Sequence, residues 1–154
     1  MIYIGIDPGV KGGEFGIDSS GRYECNSQTY ESLVFWMRRG GPMQKINPKN
    51  SRVFMEDVGG MAGDTPNTAF VLGKTVGFWE ATLCASGLTE WTLVKPHLWQ
   101  SRFARQFGDR WCPKDRKARK KYIHEKVNSV LPVPVTLELA DAAAIAWLAS
   151  KELI

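Results

Sequence analysis

Three short β-rich runs at the start of the chain, each closed by turn residues, constrain the fold more than any other feature. Ile2 to Ile6 reads as a strand, Asp7-Pro8-Gly9 as a turn, and Glu14 to Asp18 as a second strand. Ser19-Ser20-Gly21-Arg22 turns the chain again into a strand from Tyr23 to Ser27. Joints this short make an antiparallel meander. The pattern then changes. Tyr30 to Arg39, with apolar Leu33, Val34, Trp36 and Met37, predicts a helix ended by Gly40-Gly41. Pro42 to Asn50 is a polar connection, Arg52 to Glu56 a short buried strand ending in an acid, and Gly59 to Pro66 a glycine-rich loop. Thr68 to Ser86 is apolar nearly all round a helical wheel, so both of its faces should be covered, one by the sheet and one by a second subunit.

Thr89 to Val94 reads as another strand, Pro96 to Phe107 as a short helix with loop, and Asp115 to Leu131 as a strongly basic helix. Pro132-Val133-Pro134 breaks the chain before an alanine-rich helix from Leu137 to Leu153. A meander followed by strands alternating with helices predicts an α/β domain with a mixed central sheet. Its 154 residues suit one domain spanning 1–154.

Charge is unevenly placed along this chain. The net charge is only +4, from 20 basic and 16 acidic residues. Yet Lys95 to Lys126 holds eleven basic residues against three acids, a net +8, which leaves the rest at −4. Such a polycationic segment points to a polyanion, with nucleic acid the leading candidate. Lys114, Arg116, Lys117, Arg119 and Lys121, together with Arg102 and Arg105, are the candidate backbone contacts. Of the six tryptophans, Trp36, Trp79, Trp91 and Trp147 read as core, whereas Trp99 and Trp111 fall in the basic segment and are the better candidates for nucleic-acid contact, or could equally anchor that segment to the body.

Several classes drop out. MIYIGIDPG has no basic leader and carries an acid at Asp7, so it does not read as a signal peptide. No uncharged apolar run approaches the ~18–20 residues of a membrane span. Cys25, Cys84 and Cys112 are odd in number and lack C-x-x-C spacing, which argues against a disulfide framework or a zinc site and for a reducing, cytoplasmic setting.

Four acids stand where packing alone would not place them. Asp7 ends an apolar strand, although a D-P-G turn could equally use it as a cap. Glu56 closes the apolar run Val53-Phe54-Met55, where a charge is costly unless it is paired, bound to a cation or exposed at the strand end. Glu138 and Asp141 are spaced to share one helical face; Glu138 also suits a first-turn acid, while every neighbour of Asp141 is apolar. Carboxylates gathered without histidine or cysteine favour hard cations, Mg²⁺ or Mn²⁺. A pair of such ions can align water and stabilise the leaving oxygen of a phosphodiester.

The order of these motifs is informative. Ile-Gly-Ile-Asp-Pro-Gly at 4–9, Val-Phe-Met-Glu at 53–56, Ala69 to Gly77 and the Ala140-Asp-Ala-Ala-Ala-Ile-Ala146 helix resemble, in order and spacing, the RuvC-type Holliday-junction resolvases of the ribonuclease H-like superfamily. The resemblance spans almost the whole chain. It implies a ribonuclease H-like, mixed five-stranded sheet, an antiparallel meander and then parallel strands, flanked by helices. It also implies a Mg²⁺-dependent endonuclease with two ions per site, held by Asp7, Glu56, Glu138 and Asp141; Glu138 departs from the aspartate usual in the bacterial enzymes. Lys95 and Lys120 match the family's basic residues near the scissile phosphate, with Lys117 and Lys121 as near alternatives, and Met61 matches the residue that wedges between bases.

A four-way junction is nearly two-fold symmetric, so a homodimer joined through the 68–86 helix is expected, acting in the cytoplasm of a bacterial or phage-infected cell. Nucleases of forks, flaps or other branched nucleic acid, and a non-catalytic branched-DNA-binding module, are the alternatives. The actin-like ATPases share a strand-Asp-x-Gly start but need two such domains, more than 154 residues provide.

Overall fold

The computed structural model describes residues 1–18, 23–24, 47–59 and 65–154. The helix expected over 30–39, Trp36, Cys25 and Met61 lie outside the described residues. Among the described residues five strands form one sheet: β1 (Ile2–Ile6), β2 (Glu14–Asp18), β3 (Tyr23–Glu24), β4 (Ser51–Glu56) and β5 (Thr92–Val94), in the order β3-β2-β1-β4-β5. β3 adds only two described residues at the edge. β1 runs antiparallel to β2 and parallel to β4, which is parallel to β5. The mixed sheet expected from the sequence is therefore present. Four helices are described: α1 (Pro66–Ala85), α2 (Pro96–Arg105), α3 (Arg116–Val130) and α4 (Ala140–Ser150).

The two sheet faces are covered by different helices. Ile4 and Ile6 of β1 and Val53 and Met55 of β4 pack with Trp79 and Leu83 of α1. On the other face Phe15, Ile17 and Phe54 pack with the alanines of α4, with Trp99 and Phe103 of α2, and with Ile123 and Val127 of α3. Local chemistry sets the helix starts. Pro occupies the first turn of α1 and of α2, and the Asp115 carboxylate caps α3 by accepting from the Ala118 N–H at 2.8 Å. No described helix is long and apolar enough to cross a membrane.

The alanine-rich helix begins later than its composition suggests, at Ala140 rather than Leu137. Residues 137–139 form a turn instead. Upstream, Asn128 accepts from the Val135 N–H at 2.8 Å, and His124 and Asn128 both bond its carbonyl. The chain thus arrives pinned and extended, and needs a turn before it can coil. Glu138 and Asp141 consequently do not share a helical face, because Glu138 precedes the helix.

Close approach of α4 to β1 requires Gly5. A Cβ at Gly5 would stand 2.6 Å from the Ala146 nitrogen and closer still to the Ala142 carbonyl, both main-chain atoms that cannot swing aside. Gly5→Ala is expected to destabilise the fold by about 1–3 kcal/mol, the usual penalty of overpacking. Urea unfolding of both forms, with the midpoint as readout, checks this.

Candidate active site

Parallel pairing brings the ends of β1 and β4 to one edge of the sheet, and α4 begins directly above them. Asp7, just beyond β1, and Glu56, the last residue of β4, reach the α4 side of the sheet, where Asp141 lies in the first turn of that helix. Asp7 and Glu56 are buried. Lys120 of α3 enters among these acids. Its Nζ lies 2.7 Å from Asp141 Oδ2 and 3.6 Å from Asp7 Oδ2, and 3.5 Å from the Glu138 carbonyl.

Each acid is held differently. Asp7 Oδ1 accepts from the Gly9 N–H at 2.9 Å, so Asp7 does cap its D-P-G turn while its other oxygen faces Lys120. Gly12 lies so close that an added Cβ would sit 2.8 Å from Asp7 Oδ1. Glu56 Oε1 accepts from the Trp99 indole at 2.9 Å. Asp141 uses Oδ2 on Lys120 and leaves Oδ1 buried with no hydrogen-bond partner among the described residues.

Electrostatic strain follows from the crowding. Burial pushes the Glu56 carboxyl up to about 7, aided by the Asp7 and Asp141 charges and opposed by the Trp99 N–H and Lys120. Burial also raises Asp141, although Lys120 pulls the other way. For Lys120, burial alone would lower the ammonium, but Asp141 and Asp7 outweigh it and the net shift is upward. Three acids around one ammonium leave excess negative charge in a poorly solvated place.

Other expected residues fall at varied distances from this cluster. Glu138 is not drawn in; its side chain is exposed and only its carbonyl approaches Lys120. Lys95 stands at the N-cap position of α2 at the same sheet edge, is exposed, and among the described residues pairs with no acid. Lys114, Arg116, Lys117 and Lys121 are exposed on or beside α3, Lys121 in a loose pair with Glu125 at 3.8 Å. Arg119 donates to the Lys114 carbonyl, and its charge reaches Asp141 and Cys112. Arg105 is exposed, whereas Arg102 donates to the Leu153 carbonyl, beyond the far end of α4 from the site.

The two tryptophans of the basic segment divide. Trp111 is 59% exposed in the loop before α3, as a DNA contact requires. Trp99 is fully buried, which fits the alternative that it anchors the basic segment to the body and not the alternative of DNA contact. Pro96 starts α2 immediately after β5, and this turns Trp99 inward against the sheet.

A divalent cation fits the donor chemistry of this cluster. All the acids offer hard oxygens, and Asp141 Oδ1 lacks any hydrogen-bond partner among the described residues. As they stand, no three Asp, Glu, His or Cys side chains among the described residues close into a metal cage.

This fold has solved counterparts. The RuvC structure of Thermus thermophilus superposes with a TM-score of 0.62 and 18% identity, over 99% of this chain and 98% of that one. The fold is that of RuvC. T. thermophilus RuvC in complex with a Holliday junction substrate matches equally well, with a TM-score of 0.62 at 17% identity over the same shares. No protein-family model matches the chain, and no curated protein matches its sequence. The RuvC likeness is thus one of backbone fold.

Proposed function

We propose that this protein is a Mg²⁺-dependent, structure-selective endonuclease that resolves four-way DNA junctions by paired nicks. The observation that carries the reading is the convergence of Asp7, Glu56 and Asp141 around Lys120 at one edge of a RuvC-fold sheet. Asp7, Glu56 and Asp141 would hold two ions, Mg²⁺ or Mn²⁺, with Glu138 on the adjoining turn as the fourth ligand. When bound, such ions activate water and stabilise the leaving oxygen of a phosphodiester. The remaining roles belong to the protein. Lys120 holds a phosphate oxygen beside the acids, with Lys95 on the neighbouring strand end. Lys114, Arg116, Lys117, Arg119 and Lys121 grip the backbone leading to it, Arg105 extends that surface, and Trp111 offers a face for an unstacked base. Arg102, tied to the C-terminal turn, contributes charge at longer range. Met61 remains the proposed wedge at the crossover.

The enzyme acts as a homodimer, in the cytoplasm where DNA is found. Along α1, Phe70, Gly73, Gly77 and Ala81 are exposed, with Phe70 at 71%, and a Cβ at either glycine would meet nothing within 4 Å. This line opposes the buried Trp79 and Leu83 and suits a second copy of the same helix. Phe70→Asp is expected to convert a dimer to a monomer in sedimentation velocity and to uncouple the two nicks. A Phe70→Asp variant that still sediments as a dimer removes this face from the interface.

Labelled four-way, forked, flapped and plain duplex DNA, each with Mg²⁺ or EDTA, test the reading. Nicking of the four-way substrate at least tenfold faster than the others supports junction resolution. Preference for forks or flaps assigns the same site to another branched substrate, and binding without nicking leaves a branched-DNA-binding module.

A further inference from the structure

We infer that Trp99 is a positioning residue for Glu56, fixing through its indole N–H which carboxylate oxygen is left to face a cation. The inference rests on the metal-dependent reading of the site above. Glu56 has the longest of the three clustered acid side chains and so the most rotamers to restrict. Neither of the restraints on the other two acids reaches it. Asp7 is held by the Gly9 N–H and Asp141 by Lys120. Among the described residues, the one hydrogen bond made by the Glu56 carboxylate comes from Trp99, 43 residues away in sequence.

The backbone brings this pair together. Glu56 pairs with Val94 across β4 and β5, and the Asp57 N–H donates to the Val94 carbonyl at 2.9 Å. Lys95 is extended, Pro96 opens α2, and Trp99 falls in its first turn with its own N–H on the Lys95 carbonyl. The indole is fully buried and has a single polar atom, which can only donate. A buried donor needs an acceptor, and here that acceptor is Glu56 Oε1. Oε1 is thereby committed to the protein, and Oε2 is the oxygen that remains for an ion. Because the ring is packed with Phe54 and Phe103, the arrangement is set before any cation arrives.

The test replaces Trp99 with β-(3-benzothienyl)alanine, which keeps the ring size and lacks the N–H, alongside Trp99→Phe. Phe103→Leu serves as a control that loosens the same core without touching a carboxylate. Mn²⁺ binding is read by calorimetry on the protein alone, and junction affinity and Mg²⁺-dependent nicking are read separately. Both Trp99 variants are expected to bind Mn²⁺ about five- to tenfold more weakly and to need correspondingly more Mg²⁺ for half-maximal nicking, the scale on which residues supporting metal ligands act. Their junction affinity should stay within twofold, and Phe103→Leu should keep the wild-type Mn²⁺ affinity. Wild-type Mn²⁺ affinity in the benzothienyl variant overturns the positioning role, as does an equal loss in Phe103→Leu. A wild-type protein that binds no Mn²⁺ overturns the metal-dependent reading itself, and the inference with it.

Discussion

Asp141→Asn is expected to slow junction nicking by about 10³-fold or more, while junction binding stays within twofold of wild type. The substitution keeps the size of the side chain and removes its charge. It takes away the strong acceptor for Lys120 at 2.7 Å and a buried oxygen that has no partner among the described residues. Losing one anionic ligand from a cation-assisted site removes about 4 kcal/mol of transition-state stabilisation, at roughly 1.4 kcal/mol per factor of ten. The fold should tolerate the change. Burial already raises the Asp141 carboxyl, so deleting its charge relieves repulsion with Asp7 and Glu56. Binding is expected to be insulated because the basic residues proposed to grip phosphate lie along and beside α3. Single-turnover nicking and a binding isotherm on the same labelled junction separate the two effects. Full activity in the variant excludes Asp141 from the chemistry.

The second large effect concerns an acid on the opposite face of the sheet. Glu14→Gln is expected to stabilise the protein by about 3 kcal/mol at pH 8 and hardly at all near pH 4.5. Glu14 pairs with Ile6, which packs under α1, so its side chain points away from the cluster of Asp7, Glu56 and Asp141. It is buried, both carboxylate oxygens lack a hydrogen-bond partner among the described residues, and burial pushes its carboxyl up to about 7. An acid whose folded pKa lies above its unfolded one binds more protons when folded. The penalty is therefore absent below about pH 4.5, grows as pH rises towards 7, and is complete above it. Glutamine cannot ionise and escapes that penalty. For a domain of this size the gain corresponds to a rise in Tm of about 6–12 °C at pH 8. Thermal melts of both forms between pH 4.5 and 8 check it: parallel curves contradict the assignment, and curves that diverge with rising pH support it.

Legibility in the sequence tracked how local the determining forces are. β1, β4 and the core of α4 follow from apolar runs and flanking turn residues, so Asp7, Glu56 and Asp141 could be placed at their ends. Lys120 is one of several lysines in the basic helix, and the family resemblance, not any local pattern, singles it out. Glu138 was misplaced because the start of α4 depends on the ties from His124 and Asn128 to Val135, which no local pattern displays. Trp99 and Trp111 look alike as residues in a basic segment. Packing of α2 against the sheet separates them, and only Pro96 hinted at where that helix begins. Glu14 was overlooked for a related reason. In Glu-Phe-Gly-Ile-Asp the alternation suggests one wet face, yet helices cover both faces of this sheet and bury the glutamate. Gly5 and Gly12 read as ordinary small residues until the main chain of α4 and the Asp7 side chain are seen against them.

The central claim is that the clustered acids cut a junction symmetrically, and mapping the nicks tests it most directly. Wild-type protein is incubated with a four-way junction labelled in turn on each strand, in Mg²⁺ and in EDTA, and the products are sized at nucleotide resolution. The account predicts Mg²⁺-dependent nicks at matching positions on two strands of like polarity, and none in EDTA. Nicks that persist in EDTA, or a junction that is bound and left intact in Mg²⁺, would contradict it.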